Sequence, residues 1–112
     1  MHASLAYRYF EKIRPIHASH FPQMCCYSFD HISQEINFHG QFKKTELDCI
    51  TTIFRRNMSG KTVLDIGANI GNHSLAFSHH CKQVFAFEPH PKTFRLLELN
   101  SMDVSNIHPI NV

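Results

Sequence analysis

The stretch Thr62-Val63-Leu64-Asp65-Ile66, running without a break into Gly67-Ala68-Asn69-Ile70-Gly71, constrains this chain more than any other. A short, β-branched and apolar run of this kind is the pattern of a strand buried on both faces in a parallel sheet. Glycine after such a strand, at Gly67 and again at Gly71, lets the backbone turn sharply and come close to a ligand without a Cβ in the way. A helix is expected next, over roughly residues 72–80, and Val84-Phe85-Ala86-Phe87 supplies a second buried run ending in Glu88. Parallel strands need a crossover connection, so strand, glycine loop, helix and strand predict a βαβ unit.

The flanking segments extend the pattern in both directions. Pro89 and Pro91 open a further helix, since proline is tolerated in a first turn, and Phe94, Leu96, Leu97 and Leu99 give it a buried side before Asn100. Residues 107–112 then predict a third strand. Upstream, residues 45–56 predict a helix with Leu47, Ile50, Ile53 and Phe54 in one stripe, Thr45 and Asp48 as an imperfect capping box, and Arg55 and Arg56 in the last turn; residues 57–60 close it. Cys26-Tyr27-Ser28-Phe29 and the strictly alternating Glu35-Ile36-Asn37-Phe38, ending at Gly40, predict two short strands, as a small hairpin or a pair of edge strands. Leu5, Tyr9 and Ile13, spaced four apart, predict a short amphipathic helix over residues 3–14 that Pro15 stops. The expected class is therefore α/β, with a helix and hairpin extension over residues 1–40 and a parallel sheet with flanking helices over residues 41–112.

Composition limits the partners. The 112 residues are 43% hydrophobic, enough for one modest core, and the 11 Lys and Arg against 9 Asp and Glu are scattered rather than gathered into a basic stripe. Nucleic acid is not an expected partner. No apolar stretch approaches the ~18 residues needed to cross a bilayer, and residues 1–9 lack the apolar core of a secretion signal. No membrane partner is expected, and the expected location is cytoplasmic. The four cysteines include the adjacent pair Cys25 and Cys26 but no C-x-x-C spacing, and are read as reduced and mostly packed. His17, His20 and the run His79-His80-Cys81 lack any established ligand spacing, and no metal site is assigned to them.

Asp65-Ile66-Gly67-Ala68-Asn69-Ile70-Gly71 reads D-x-G-x-x-x-G at the exit of a buried strand. The amino terminus of the following helix offers N–H groups suited to a carboxylate, such as that of the methionyl tail of S-adenosylmethionine. Asp65 would hold the ammonium group of the same tail, directly or through water. The pyrophosphate fingerprint G-x-G-x-x-G is absent, because Asn69 and Asn72 stand where it requires glycine, which disfavours a nicotinamide cofactor. Glu88, about 20 residues beyond Gly67, lies at the end of the second strand, where an acid accepts hydrogen bonds from both ribose hydroxyls.

Residues 63–74, with Gly67-Ala68-Asn69-Ile70-Gly71 at their centre, followed by Val84-Phe85-Ala86-Phe87-Glu88-Pro89-His90-Pro91 and Leu97-Glu98-Leu99-Asn100, closely resemble the FkbM family of S-adenosylmethionine-dependent methyltransferases. The resemblance covers about residues 40–112. It implies the amino-terminal half of a Rossmann-like class I methyltransferase domain and methyl transfer to an oxygen of a sugar, polyketide or other small molecule. By the same resemblance Asp65, Gly67, Ala68, Asn69, Gly71 and Asn72 belong to the first cofactor-binding motif, Glu88 is the ribose-binding acid, and Pro89 and His90 lie beside the adenine. Residues 40–46 resemble a family segment that closes over the cofactor.

Methyl transfer from a sulfonium is an in-line displacement, in which alignment and exclusion of water carry most of the catalysis. No residue of this chain is assigned as a general base; His73 and His90 lie near the expected pocket and are read as packing on the cofactor side. The family's fourth strand and its acceptor-side residues would follow residue 112. Strand 62–66 should therefore be left with one unpaired edge, favouring self-association or poor solubility, and the isolated chain is expected not to transfer methyl groups. The competing readings are a non-catalytic methyltransferase-like module binding a nucleoside ligand or a partner protein, and a nicotinamide-dependent oxidoreductase.

Overall fold

The computed structural model describes Arg8, Lys12 and residues 24–28 and 30–112. The chain divides into two compact units, Met1–Lys43 and Lys44–Val112. Of the helix expected over residues 3–14, Arg8 and Lys12 are helical, and Leu5, Tyr9 and Ile13 lie outside the described residues.

In the first unit, helix α1 spans His31–His39. It replaces the second strand of the expected hairpin, and residues 24–28 form no strand either. Phe29 lies outside the described residues. The cause of the difference lies at the helix ends. Asp30 is the N-cap, its carboxylate accepting the Ser33 N–H at 2.6 Å, and the Gly40 N–H donates to the Ile36 carbonyl at 2.7 Å to close the carboxyl end. Four alternating residues cannot oppose a helix capped at both ends. In helical phase Ser33 and Ile36 share a buried side while Phe38 is exposed. Glu35 ties down the following turn by accepting the Lys43 N–H at 3.1 Å.

The second unit runs α2 (Lys44–Met58), β1 (Thr62–Ile66), α3 (Asn72–Ser78), β2 (Gln83–Phe87), α4 (Pro91–Ser101) and β3 (Ile107–Ile110). This is the expected α/β order, and the three strands form a parallel sheet ordered β1-β2-β3. Pro91 stands in the first turn of α4 and His90 is its N-cap. The expected end of α4 at Asn100 moves outward, because the helix continues through Asn100 to Ser101. No helix among the described residues is long and apolar enough to cross a membrane.

The register fixes which side chains share a face. Asp65 pairs with Ala86 and Ala86 with Pro109, while Val63, Val84 and Ile107 form the row beside them. Asp65 reaches Ser74 of α3, so this face is the one α3 covers, and Val84 and Ala86 are fully buried there. Leu64 and Ile66 point the other way and are 62% and 75% exposed. Burial on both faces, expected from the apolar run of β1, is not met: Val63 and Asp65 are half-buried on the α3 face, and Leu64 and Ile66 are exposed on the other. Two further expectations change for similar reasons. In α2 only Leu47 of the four-residue stripe is buried, with Ile53 63% exposed, because this helix packs against α3. Asp48 pairs with Lys44 at 2.6 Å instead of serving a capping box. In α4 the buried side is Thr93, Leu97 and Ser101, spaced four apart, and Leu99 lies half a turn away and outside.

The cap of α1 is directly testable. Asp30→Ala should destabilise this helix by about 1 kcal/mol, seen as faster amide hydrogen exchange over residues 33–36. Unchanged exchange there would mean that the cap does not hold the helix.

Candidate functional site

The carboxyl ends of β1 and β2 lie side by side, with Ile66 in register with Phe87. Beyond Ile66 the Gly67 and Ala68 N–H groups both donate to the Phe87 carbonyl at 2.9 Å, so the loop folds across the end of β2. Gly67 has φ +78, and a Cβ built there would meet nothing within 4 Å. Its requirement for glycine is conformational. Gly71 has φ +94, and a Cβ there would come 2.9 Å from Leu97 Cδ1. Close approach at Gly71 is thus made by α4, whereas the sequence suggested a ligand. Between them Asn69 takes φ +52, a left-handed conformation that asparagine tolerates, and its own Oδ1 accepts the Ile70 N–H at 2.8 Å.

Glu88 is only 7% exposed, and a carboxylate so buried needs donors. Oε2 accepts the Asn69 N–H at 3.0 Å and Oε1 accepts the His90 N–H at 2.8 Å. The first bond ties the glycine loop to the end of β2, and the second ties Glu88 to the N-cap of α4. Each carboxylate oxygen can accept more than one hydrogen bond, so acceptor capacity remains for a pair of hydroxyl groups. His90 Nδ1 in turn lies 3.4 Å from the Thr93 N, from which it accepts, and 3.2 Å from Thr93 Oγ1.

Asp65 is oriented from α3, its Oδ2 accepting from the fully buried Ser74 hydroxyl at 2.6 Å. Gly71 is the N-cap residue of α3 and brings no side chain to the first-turn N–H groups. Of the nine residues expected to form a cofactor site, Asp65 and Asn69 are half-buried, Gly67, Pro89 and His90 are exposed, and Ala68, Gly71, Asn72 and Glu88 are buried. Hydrogen bonds bring Asn69, Glu88 and His90 together, while Asp65 is held through Ser74.

Three groups at this end of the sheet escaped the sequence reading. Ser74 was visible only as part of a resemblance. Asn100, read as a helix end, donates its Nδ2–H to the Ile70 carbonyl at 2.7 Å, and Asn111 donates to the Glu88 carbonyl at 2.7 Å and the Pro89 carbonyl at 3.2 Å. The signal for Asn100 was its position three after Leu97, on the side of α4 that faces the loop. Asn111 carried no comparable periodicity.

Among the described residues no group of three or more His, Cys, Asp or Glu is placed to hold a metal ion. His79 and His80 stack edge-on at 6.5 Å, and burial pushes the neighbouring Cys81 thiol up, partly offset by its hydrogen bond to the Gln83 carbonyl. No family model matches the chain, and no curated protein matches it.

Two outcomes follow from this geometry. Gly71→Ala, strained in φ and crowded by Leu97, should cost about 2–4 kcal/mol, against about 1–2 kcal/mol for Gly67→Ala, where only φ is at stake. Denaturation midpoints decide the comparison, and equal costs would contradict the packing of α4 on the loop. Iodoacetamide at neutral pH should alkylate the exposed Cys49 ahead of Cys81, whose thiolate is disfavoured by burial; peptide mass spectrometry would report the reverse order if Cys81 were reactive.

Proposed function

We propose that this chain binds S-adenosylmethionine, or its demethylated product, at the carboxyl ends of β1 and β2. On this reading the second unit is the cofactor half of a Rossmann-like methyltransferase domain of the FkbM type, acting on an oxygen of a sugar or other small molecule. The observation that carries the reading is the buried Glu88 carboxylate, held by an N–H of the glycine loop and by the N-cap of the next helix. A carboxylate fixed from both sides, with acceptor capacity left over, suits the two adjacent hydroxyls of a ribose. The resemblance at residues 63–74 and 84–91 supports the same assignment.

Each residue then has a task. Glu88 accepts from the ribose hydroxyls. Asp65, its Oδ2 already committed to Ser74, offers Oδ1 to the ammonium group of the methionyl tail. Gly67 and Ala68, bent over the end of β2, leave a surface without side-chain obstruction at Gly67 for the tail to cross. Pro89 and His90 border the adenine, with His90 held in place as the N-cap of α4. When bound, the cofactor supplies a methyl group already activated on a sulfonium, so the protein's contribution is alignment and exclusion of water. No side chain of the second unit is placed here as a base.

Glu88→Ala removes a charged acceptor pair and should weaken S-adenosylhomocysteine binding by about 2–3 kcal/mol, roughly 30-fold to 150-fold. Calorimetry measures this, with a nicotinamide dinucleotide titration alongside. Unchanged affinity in the variant would remove the ribose role, and preferential binding of the dinucleotide would replace the reading by the oxidoreductase alternative.

A further inference from the structure

We propose that Asn100 and Asn111 are positioning residues, one for each half of the site: Asn100 sets the glycine loop and Asn111 sets the turn that carries Glu88. The inference rests on the nucleoside reading above.

Asn100 and Leu97 share one side of α4 and meet consecutive residues of the loop. Leu97 Cδ1 occupies the space a side chain at Gly71 would need, and Asn100 Nδ2–H reaches the Ile70 carbonyl at 2.7 Å across 30 residues of sequence. That carbonyl lies just ahead of the first helical acceptor of α3, since the Leu75 N–H donates to Gly71. Ile70 itself is 1% exposed, so loss of the amide would leave a carbonyl with little access to water. Asn111 acts at the other end. Its amide spans the Glu88 and Pro89 carbonyls while the Glu88 N–H donates to the Ile110 carbonyl at 3.0 Å, so the backbone of Glu88 is held at its N–H by the last residue of β3 and at its carbonyl by the residue after it. Neither asparagine lies in the set read as touching the cofactor. Each fixes backbone on which that set depends.

The division of labour gives distinct signatures with two ligands. Adenosine engages the ribose-binding half alone, whereas S-adenosylhomocysteine engages both. In the full chain, Asn100→Asp, which keeps the shape and removes the N–H donor, should weaken S-adenosylhomocysteine about tenfold and leave adenosine within about twofold. Asn111→Asp should weaken both ligands about tenfold. Titration followed by NMR reads both affinities. Asn111→Gln, which retains the donor, should recover part of the loss. If the Asp variants fail to fold, Asn100→Ala and Asn111→Ala are held to the same outcomes. Equal losses of the two ligands in the Asn100 variant, or no loss in either variant, would overturn the inference while the cofactor reading stands. Absence of S-adenosylhomocysteine binding to the unaltered chain would overturn both.

Discussion

A carboxylate with 7% exposure cannot be left without donors, and in this chain the donors of Glu88 come from two separate elements. One is the Asn69 N–H in the loop after β1, and the other is the His90 N–H at the start of α4. Satisfying one buried charge therefore fixes three things together: the end of β2, the path of the glycine loop and the entry of α4. The parallel ladder supplies the frame, since the Phe87 carbonyl accepts from both Gly67 and Ala68 and brings the loop within reach of the carboxylate. The left-handed φ of Asn69 belongs to the same arrangement, because that residue presents its N–H to Glu88 while its side chain bonds the next N–H.

Helix α4 closes the circuit. Its first turn is capped by His90, whose N–H serves Glu88, and its second and third turns present Leu97 and Asn100 to the loop. A displacement of α4 along its axis would disturb the cap, the fit at Gly71 and the bond to Ile70 together. Side-chain amides recur as long-range ties in this unit. Asn106 donates to the Ser78 and Cys81 carbonyls, much as Asn111 does to Glu88 and Pro89. An amide carries no net charge, so it can satisfy a poorly hydrated carbonyl without the desolvation cost of an ion.

The parts of this architecture that were legible in the sequence are those written in local pattern. The run at residues 62–66, the glycines after it, the run ending in Glu88 and Pro91 as a helix opener each bring their own signal, and the strands and helices stand where those signals put them. The hairpin expected at residues 26–38 was misread because alternation over four residues is compatible with either secondary structure, and the decisive marks were at the ends, Asp30 and Gly40. The stripe of α2 was correctly periodic, yet periodicity names a candidate face without saying what covers it, and Ile53 remains exposed. Within the candidate site, Asp65, Asn69 and Glu88 were singled out because motif spacing points to them. The supports Ser74, Asn100 and Asn111 were not assigned roles, because each acts across a fold that the local sequence does not describe.

The alternation of β1 separates the site from the less protected side of the sheet. The Lys61 carbonyl accepts from the Lys82 and Gln83 N–H groups, and the Gly67 N–H donates to Phe87. By the geometry of a parallel ladder, residues 61, 63, 65 and 67 thus direct their backbone groups toward β2, and Thr62, Leu64 and Ile66 direct theirs toward the edge at which no strand of the described residues pairs. These same three residues carry the side chains of the open face, where Leu64 and Ile66 are exposed. Backbone groups turned away from β2 and exposed apolar surface consequently fall on one parity of a single strand. Asp65 has the other parity, with its side chain on the α3 face and its backbone turned inward. A one-residue shift in register would exchange the two sets, sending Asp65 to the open face and away from Ser74. The register of β1 against β2 is therefore what keeps the polar group of the site on the covered side.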